Sequence, residues 1–136
     1  MIKHLEKHAH LGLLPLRIVL GLVFIYHGYL KLFTGNFPGG TAGFFASLGI
    51  PLPTFFAIIV SLLEFFGGIA LLLGLMTRYA SVLLAVNMLV ALLLVHLPNG
   101  FLVPGGVEFP LTLFAGLLTL ALLGSGKYSV DDYLKG

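Results

Sequence analysis

An all-α, polytopic membrane fold, a bundle of four transmembrane helices, is what this sequence predicts, and three observations carry the prediction. Of 136 residues, 59% are hydrophobic and only 9% charged, against about 25% charged in an ordinary soluble domain, so too few charges exist to coat a water-facing surface. The apolar residues gather into four stretches close to the roughly 20 that a spanning helix needs, joined by short Pro/Gly-rich links. Finally, six of the seven Lys and Arg residues flank the same ends of those stretches, as positive-inside sorting of loops requires.

The first span covers residues 13–33. Lys3 and Lys7 ahead of it imitate a signal peptide, but Arg17 and His27 interrupt the apolar run and no small-residue cleavage site follows, so the segment reads as a retained helix. Residues 36–49 are Gly-rich yet carry Phe37, Phe44, Phe45 and Leu48, the pattern of a short interfacial or re-entrant piece. The second span, 53–75, begins near Pro51 and Pro53, where a missing backbone donor costs least. The third, 79–97, runs from a Thr77-Arg78 link to the breaker Pro98-Asn99-Gly100. The fourth, 109–123, is the shortest and crosses only by standing nearly upright or thinning the bilayer. Residues 1–136 thus form one transmembrane domain with no separate soluble part.

Lys3, Lys7, Arg17, Arg78, Lys127 and Lys135 lie on the side of the chain ends and Lys31 alone on the other. Both termini are therefore expected in the cytoplasm, and loops 34–52 and 98–108 outside. Cysteine is absent, which excludes disulfides, thiolate metal sites and dithiol exchange, so any redox role must use a bound carrier. The net charge of +2 and pI near 9.1 do not signal nucleic acid, because the basic residues form no stripe.

Ionisable groups inside hydrocarbon are costly and usually face the bundle interior with a partner. Glu64 sits roughly 16 Å into the second span, near the midplane, and must be protonated or paired there; a neutral Glu bonded across helices is the plainer alternative. Ala57, Ser61, Glu64, Gly68, Leu71 and Leu75 repeat at heptad spacing and predict a small, polar inward face. Arg17, Gly21, Phe24, Gly28 and Lys31 make the matching face of the first span, its glycines permitting close backbone approach. His27, roughly 9 Å deep, is the better-placed partner for Glu64, with Arg17 competing from the other end. Asn87 is expected mid-membrane and inward. Nine steps of about 100° put His96 on the opposite face of a straight helix, so the two share a site only if the helix bends. His96 lies instead at the outer interface, where Lys31 and Glu108 can join it, although a Glu opening a helix is also simply a favourable dipole contact. His27, Lys31, Glu64, His96 and Glu108 are thus expected to form a polar pocket open to the outer side, with Arg17, Asn87 and Arg78 as structural polar residues. Their wide spacing matches no metal motif.

These residues resemble those of the DoxX family over nearly the whole chain. The signs are Arg17, Gly21, Gly28 and Lys31; Glu64-Phe65-Phe66-Gly67-Gly68 and Gly74; Thr77-Arg78; and His96, Gly100-Phe101, Glu108, Gly124-Ser125-Gly126, Ser129 and Asp131. The resemblance implies a four-helix bundle in a prokaryotic cytoplasmic membrane, with links to quinone-coupled respiratory or sulfur-oxidising complexes or to assemblies that handle oxidative stress. Two functions follow as expectations. One is an accessory subunit of a membrane oxidoreductase, the pocket donating hydrogen bonds to a quinone and apolar side chains receiving its tail. The other is a non-catalytic scaffold or assembly factor, docking a membrane or periplasmic protein or a second copy of itself. Metal or small-solute transport ranks below both, since four helices leave a narrow path. The sequence does not decide whether the chain is an enzyme.

Overall fold

The computed structural model describes residues 1–34, 36–100 and 106–135. Among these, helices α1 (Ile2–Lys7), α2 (Leu13–Phe33), α3 (Gly39–Ser47), α4 (Pro53–Leu73), α5 (Thr77–Ala91), α6 (Glu108–Leu123) and α7 (Val130–Lys135) follow one another without a strand. A π-turn, Leu92–His96, and a 3-10 turn, Leu97–Asn99, prolong α5. Three continuous helical stretches of 25, 21 and 23 residues, Ala9–Phe33, Pro53–Leu73 and Thr77–Asn99, are long and apolar enough to cross a membrane. With 16 residues, α6 reaches only about 24 Å, short of a hydrocarbon core of about 30 Å.

The bundle consists of α2, α4, α5 and α6, with α2 packed chiefly on α4 and α5 on α6. Leu20, Phe24, Leu71, Leu84, Leu117 and Leu120 fill its centre. The outer faces are just as apolar: Val19, Leu22, Leu62, Phe66, Val82, Val86 and Leu118 all stand exposed. No water-facing surface would tolerate apolar coverage of that extent, and lipid is the solvent that suits it.

Glycine sets how closely α2 and α4 approach. A Cβ on Gly21 would lie 2.8 Å from the Gly68 carbonyl oxygen, and one on Gly28 would collide with the backbone of Phe65. Hydrocarbon tails supply no hydrophobic drive between helices, so such close van der Waals contact is what holds the pair together. The inward faces expected from heptad spacing are observed, with Arg17, Gly21, Phe24 and Gly28 buried on α2 and Ala57, Ser61, Glu64, Gly68 and Leu71 on α4. Leu75 departs from the pattern, because α4 stops at Leu73 where Gly74 turns left-handed at φ 69°. The third span likewise starts at Thr77, two residues early. The expected interfacial piece is α3, which packs on α4.

Both chain ends meet at one end of the bundle. Arg17, 1% exposed, donates from Nη1 to the Ser125 carbonyl at 2.6 Å and from Nη2 to that of Tyr128 at 2.8 Å. Asp131 caps α5 from a distance: its carboxylate oxygens accept the Met76 N–H at 2.7 Å and the Thr77 N–H at 2.9 Å, while its own N–H donates to the Gly74 carbonyl. Two donors that α5 cannot satisfy internally are thereby paired, with a negative charge at the positive end of the helix. Burial alone would raise the Asp131 carboxyl; the Thr77 and Met76 N–H bonds and the Arg17 charge outweigh it and hold the group below the usual carboxylate range. Of the resemblance signs, Phe101 lies outside the described residues.

Candidate functional site

Glu64 is 6% exposed and is held from two helices. Lys31 of α2 donates from Nζ to Oε2 at 2.6 Å, and Asn87 of α5 donates from Nδ2 to Oε1 at 3.1 Å. One turn away on α4, Ser61 satisfies its hydroxyl on the Ala57 carbonyl at 2.7 Å, leaving the carboxylate to Lys31 and Asn87. The proximity follows from packing, since Gly28 presses on Phe65 and so brings the last turn of α2, with Lys31, against Glu64. The ion pair remains partly accessible at its lysine, with the Lys31 side chain 29% exposed and that of Glu64 8%.

Lys31 lines a cavity of about 640 Å³ at the end of the bundle opposite the chain termini, walled mainly by α3, α4 and α5. Phe44, Phe45, Phe56, Val60, Val90 and Leu94 give it an apolar lining, and Lys31, Asn87 and His96 bring polar groups to it. Lys31 keeps two ammonium hydrogens, and Asn87 one amide hydrogen and its carbonyl oxygen, beyond what Glu64 takes. His96 shares this wall with Asn87 because the π-turn at Leu92–His96 winds more residues into each turn than an α-helix, reducing the rotation between them. The straight α-helical register that would set them on opposite faces is therefore broken at Leu92–His96.

His27 does not pair with Glu64, a correction to the sequence expectation. It stands one residue before Gly28 of the inward row, 100° of helix rotation away from it, and its ring is exposed with its centroid 6.2 Å from that of Phe109. Arg17 is not a competitor for Glu64 either, being committed to the carbonyls at the far end. Glu108 is exposed in the first turn of α6 and does not line the cavity. Arg78 is exposed at the start of α5 rather than set within the bundle. The expected five-residue pocket thus reduces to Lys31 and His96 on the wall, with Glu64 behind them. Asn87, expected as structural, belongs to the same centre. Among the described residues no three His, Asp or Glu side chains gather in an arrangement that could hold a metal ion.

Comparison with known proteins adds a lineage to this geometry. The DoxX family profile matches residues 12–97. The Bacillus subtilis protein named "Putative oxidoreductase CatD" is 35% identical over 130 residues, covering 96% of this chain and 92% of its own length. The inner membrane protein YqjF of Escherichia coli is 35% identical over 132 residues, covering 96% of this chain and 97% of its own length. The membrane protein Rv3486 of Mycobacterium tuberculosis is 36% identical over 133 residues, covering 88% and 78%. No solved structure matches the chain.

Proposed function

This chain belongs to the DoxX family, and from that premise we propose that it is an accessory subunit of a membrane oxidoreductase system, holding a quinone headgroup in the cavity beside Glu64. The observation that carries the reading is the cavity's composition, an apolar chamber of about 640 Å³ with Lys31 and Asn87 at its polar side. Ligand sites of this kind pair mostly apolar walls with a few placed polar groups. A quinone fits the donor set: its carbonyl oxygens need hydrogen-bond donors, and both residues retain some after binding Glu64. Phe44, Phe45 and Leu94 are suited to the start of an isoprenoid tail. When bound, the quinone supplies reversible uptake of electrons and protons. The protein's part is to orient the head through Lys31 and Asn87, with Glu64 fixing both donors and offsetting the lysine charge. The oxidoreductase name of the Bacillus subtilis relative supports the reading. The gathering of Arg17, Arg78, Lys127 and Lys135 at the opposite end supports an outward-facing, periplasmic mouth.

The test is purification in mild detergent followed by lipid extraction and chromatography for quinone. Wild-type protein should carry it, and Asn87→Leu and Lys31→Met should each retain about tenfold less, as loss of one bond of about 1.4 kcal/mol implies. His27→Ala and Glu108→Gln, both off the cavity wall, should retain it fully. Quinone-free wild-type protein, or full retention by Asn87→Leu, would overturn the proposal; quinone-free protein in a stable complex with another membrane protein would instead favour the scaffold role.

A further inference from the structure

A second cavity, of about 520 Å³, opens at the other end of the bundle, between the start of α5, the end of α6 and the C-terminal segment. Arg78, Lys127 and Lys135 contribute to its lining, all three exposed and none in an ion pair among the described residues. Asp131 and Asp132 also border it, but the Asp131 charge is taken by the α5 backbone donors and faces Arg17. Among the described residues, three uncommitted cations therefore oppose one uncommitted carboxylate. The arrangement is built into the fold. Buried Arg17 pins the carbonyls of Ser125 and Tyr128 on either side of Lys127. The Arg78 guanidinium lies so close along Gly124 that a Cβ there would come within 3.1 Å of its Nε. The walls also include lipid-facing side chains, Tyr79 and Leu123, 70% and 61% exposed. A cationic mouth continuous with apolar, membrane-facing surface matches a ligand that is an anionic phosphate at one end and hydrocarbon at the other. We infer that this cavity binds the phosphate headgroup of an anionic phospholipid, with Arg78 and Lys127 as principal contacts and the acyl chains running down past Tyr79 and Leu123.

Basic pockets between transmembrane helices are a recurrent lipid-headgroup solution, each Lys or Arg near the surface contributing about 1 kcal/mol. The test titrates the full chain in uncharged detergent with phosphatidylglycerol, phosphatidylcholine or inorganic phosphate, reading bound lipid by native mass spectrometry and stability by thermal unfolding. Phosphatidylglycerol should bind and stabilise the wild type in preference to phosphatidylcholine, and Arg78→Gln/Lys127→Gln should weaken that binding about thirtyfold, the equivalent of two such cations. Lys3→Gln/Lys7→Gln removes the same charge outside the cavity and should leave binding unchanged, which also separates a site from a general charge effect. Arg78→Lys, which keeps charge but loses the guanidinium fork, should fall between. Equal binding of both lipids by the wild type, an equal loss in the Lys3/Lys7 variant, or stabilisation by inorganic phosphate alone as large as by phosphatidylglycerol would overturn the inference.

Discussion

At the scale of single residues, the chemistry of the chain turns on Glu64 and its two donors. A carboxylate 6% exposed in hydrocarbon persists only with partners, and breaking a buried pair is worse than never having it, because the remaining charge stays uncompensated. Lys31→Met should therefore destabilise the protein by about 2 kcal/mol, below the 3–5 of full burial because the Lys31 side chain keeps 29% exposure. Lys31→Met/Glu64→Gln should recover much of that loss, since no charge is then stranded. Reversible unfolding in detergent of both single variants and the double completes the cycle, and strict additivity would show that the pair has no coupling. That Glu64 faces inward with a partner was legible in the sequence, because the cost of an ionic group in lipid leaves few alternatives. The identity of the partner was not. Depth along a helix points to His27, but pairing depends also on rotation and on how closely α2 and α4 approach at Gly28, which a single sequence does not specify.

Among the elements, the three long apolar helices and the shorter α6 were legible to within a few residues because hydrophobic length and Pro/Gly punctuation are local signals. The features that shape the two cavities were not. The π-turn at Leu92–His96 is written in five residues, Leu-Leu-Leu-Val-His, that suit an α-helix equally well, yet it brings His96 to the wall that Asn87 lines. The contact between α7 and the start of α5 joins residues 55 apart, and its signs, Gly74 and Asp131, had no visible connection. This contact has a pH dependence with a definite sign. The Asp131 carboxyl lies below its ordinary value in the folded chain, so its contribution is complete above about pH 3.9, the unfolded reference, and disappears as pH falls through the lower folded value. An environment-sensitive fluorophore on Tyr133→Cys, the only thiol in a chain without cysteine, should report a docked segment at pH 6 and an undocked one in acid, with a midpoint below about pH 3.9. Asp131→Asn should give the undocked signal already at pH 6, with a cost of about 1 kcal/mol, that of a lost helix cap. A transition centred near neutrality, or an unchanged signal in the Asn variant, would assign the docking to other contacts.

For the molecule as a whole, two dissimilar ends of one bundle follow from where charge resides. Arg17, Arg78, Lys127 and Lys135 collect where both chain ends meet, whereas the opposite end has Lys31, already bound to Glu64. Translocation is sensitive to this imbalance, because Lys and Arg beside a span are retained on the cytoplasmic side. The basic end should consequently be cytoplasmic and the cavity beside Glu64 should open outward. Single cysteines at Lys3, Asn36, Pro98 and Lys135, introduced one at a time, give unambiguous labelling in this cysteine-free chain. In intact cells a membrane-impermeant maleimide should modify the Asn36 and Pro98 positions and spare Lys3 and Lys135 until the membrane is permeabilised. The reverse pattern would turn the molecule over and place the cavity beside Glu64 in the cytoplasmic leaflet. Labelling of Lys3 and Lys135 from opposite sides would be graver, because Arg17 could not then reach the Ser125 and Tyr128 carbonyls while α6, about 24 Å long, spanned the membrane.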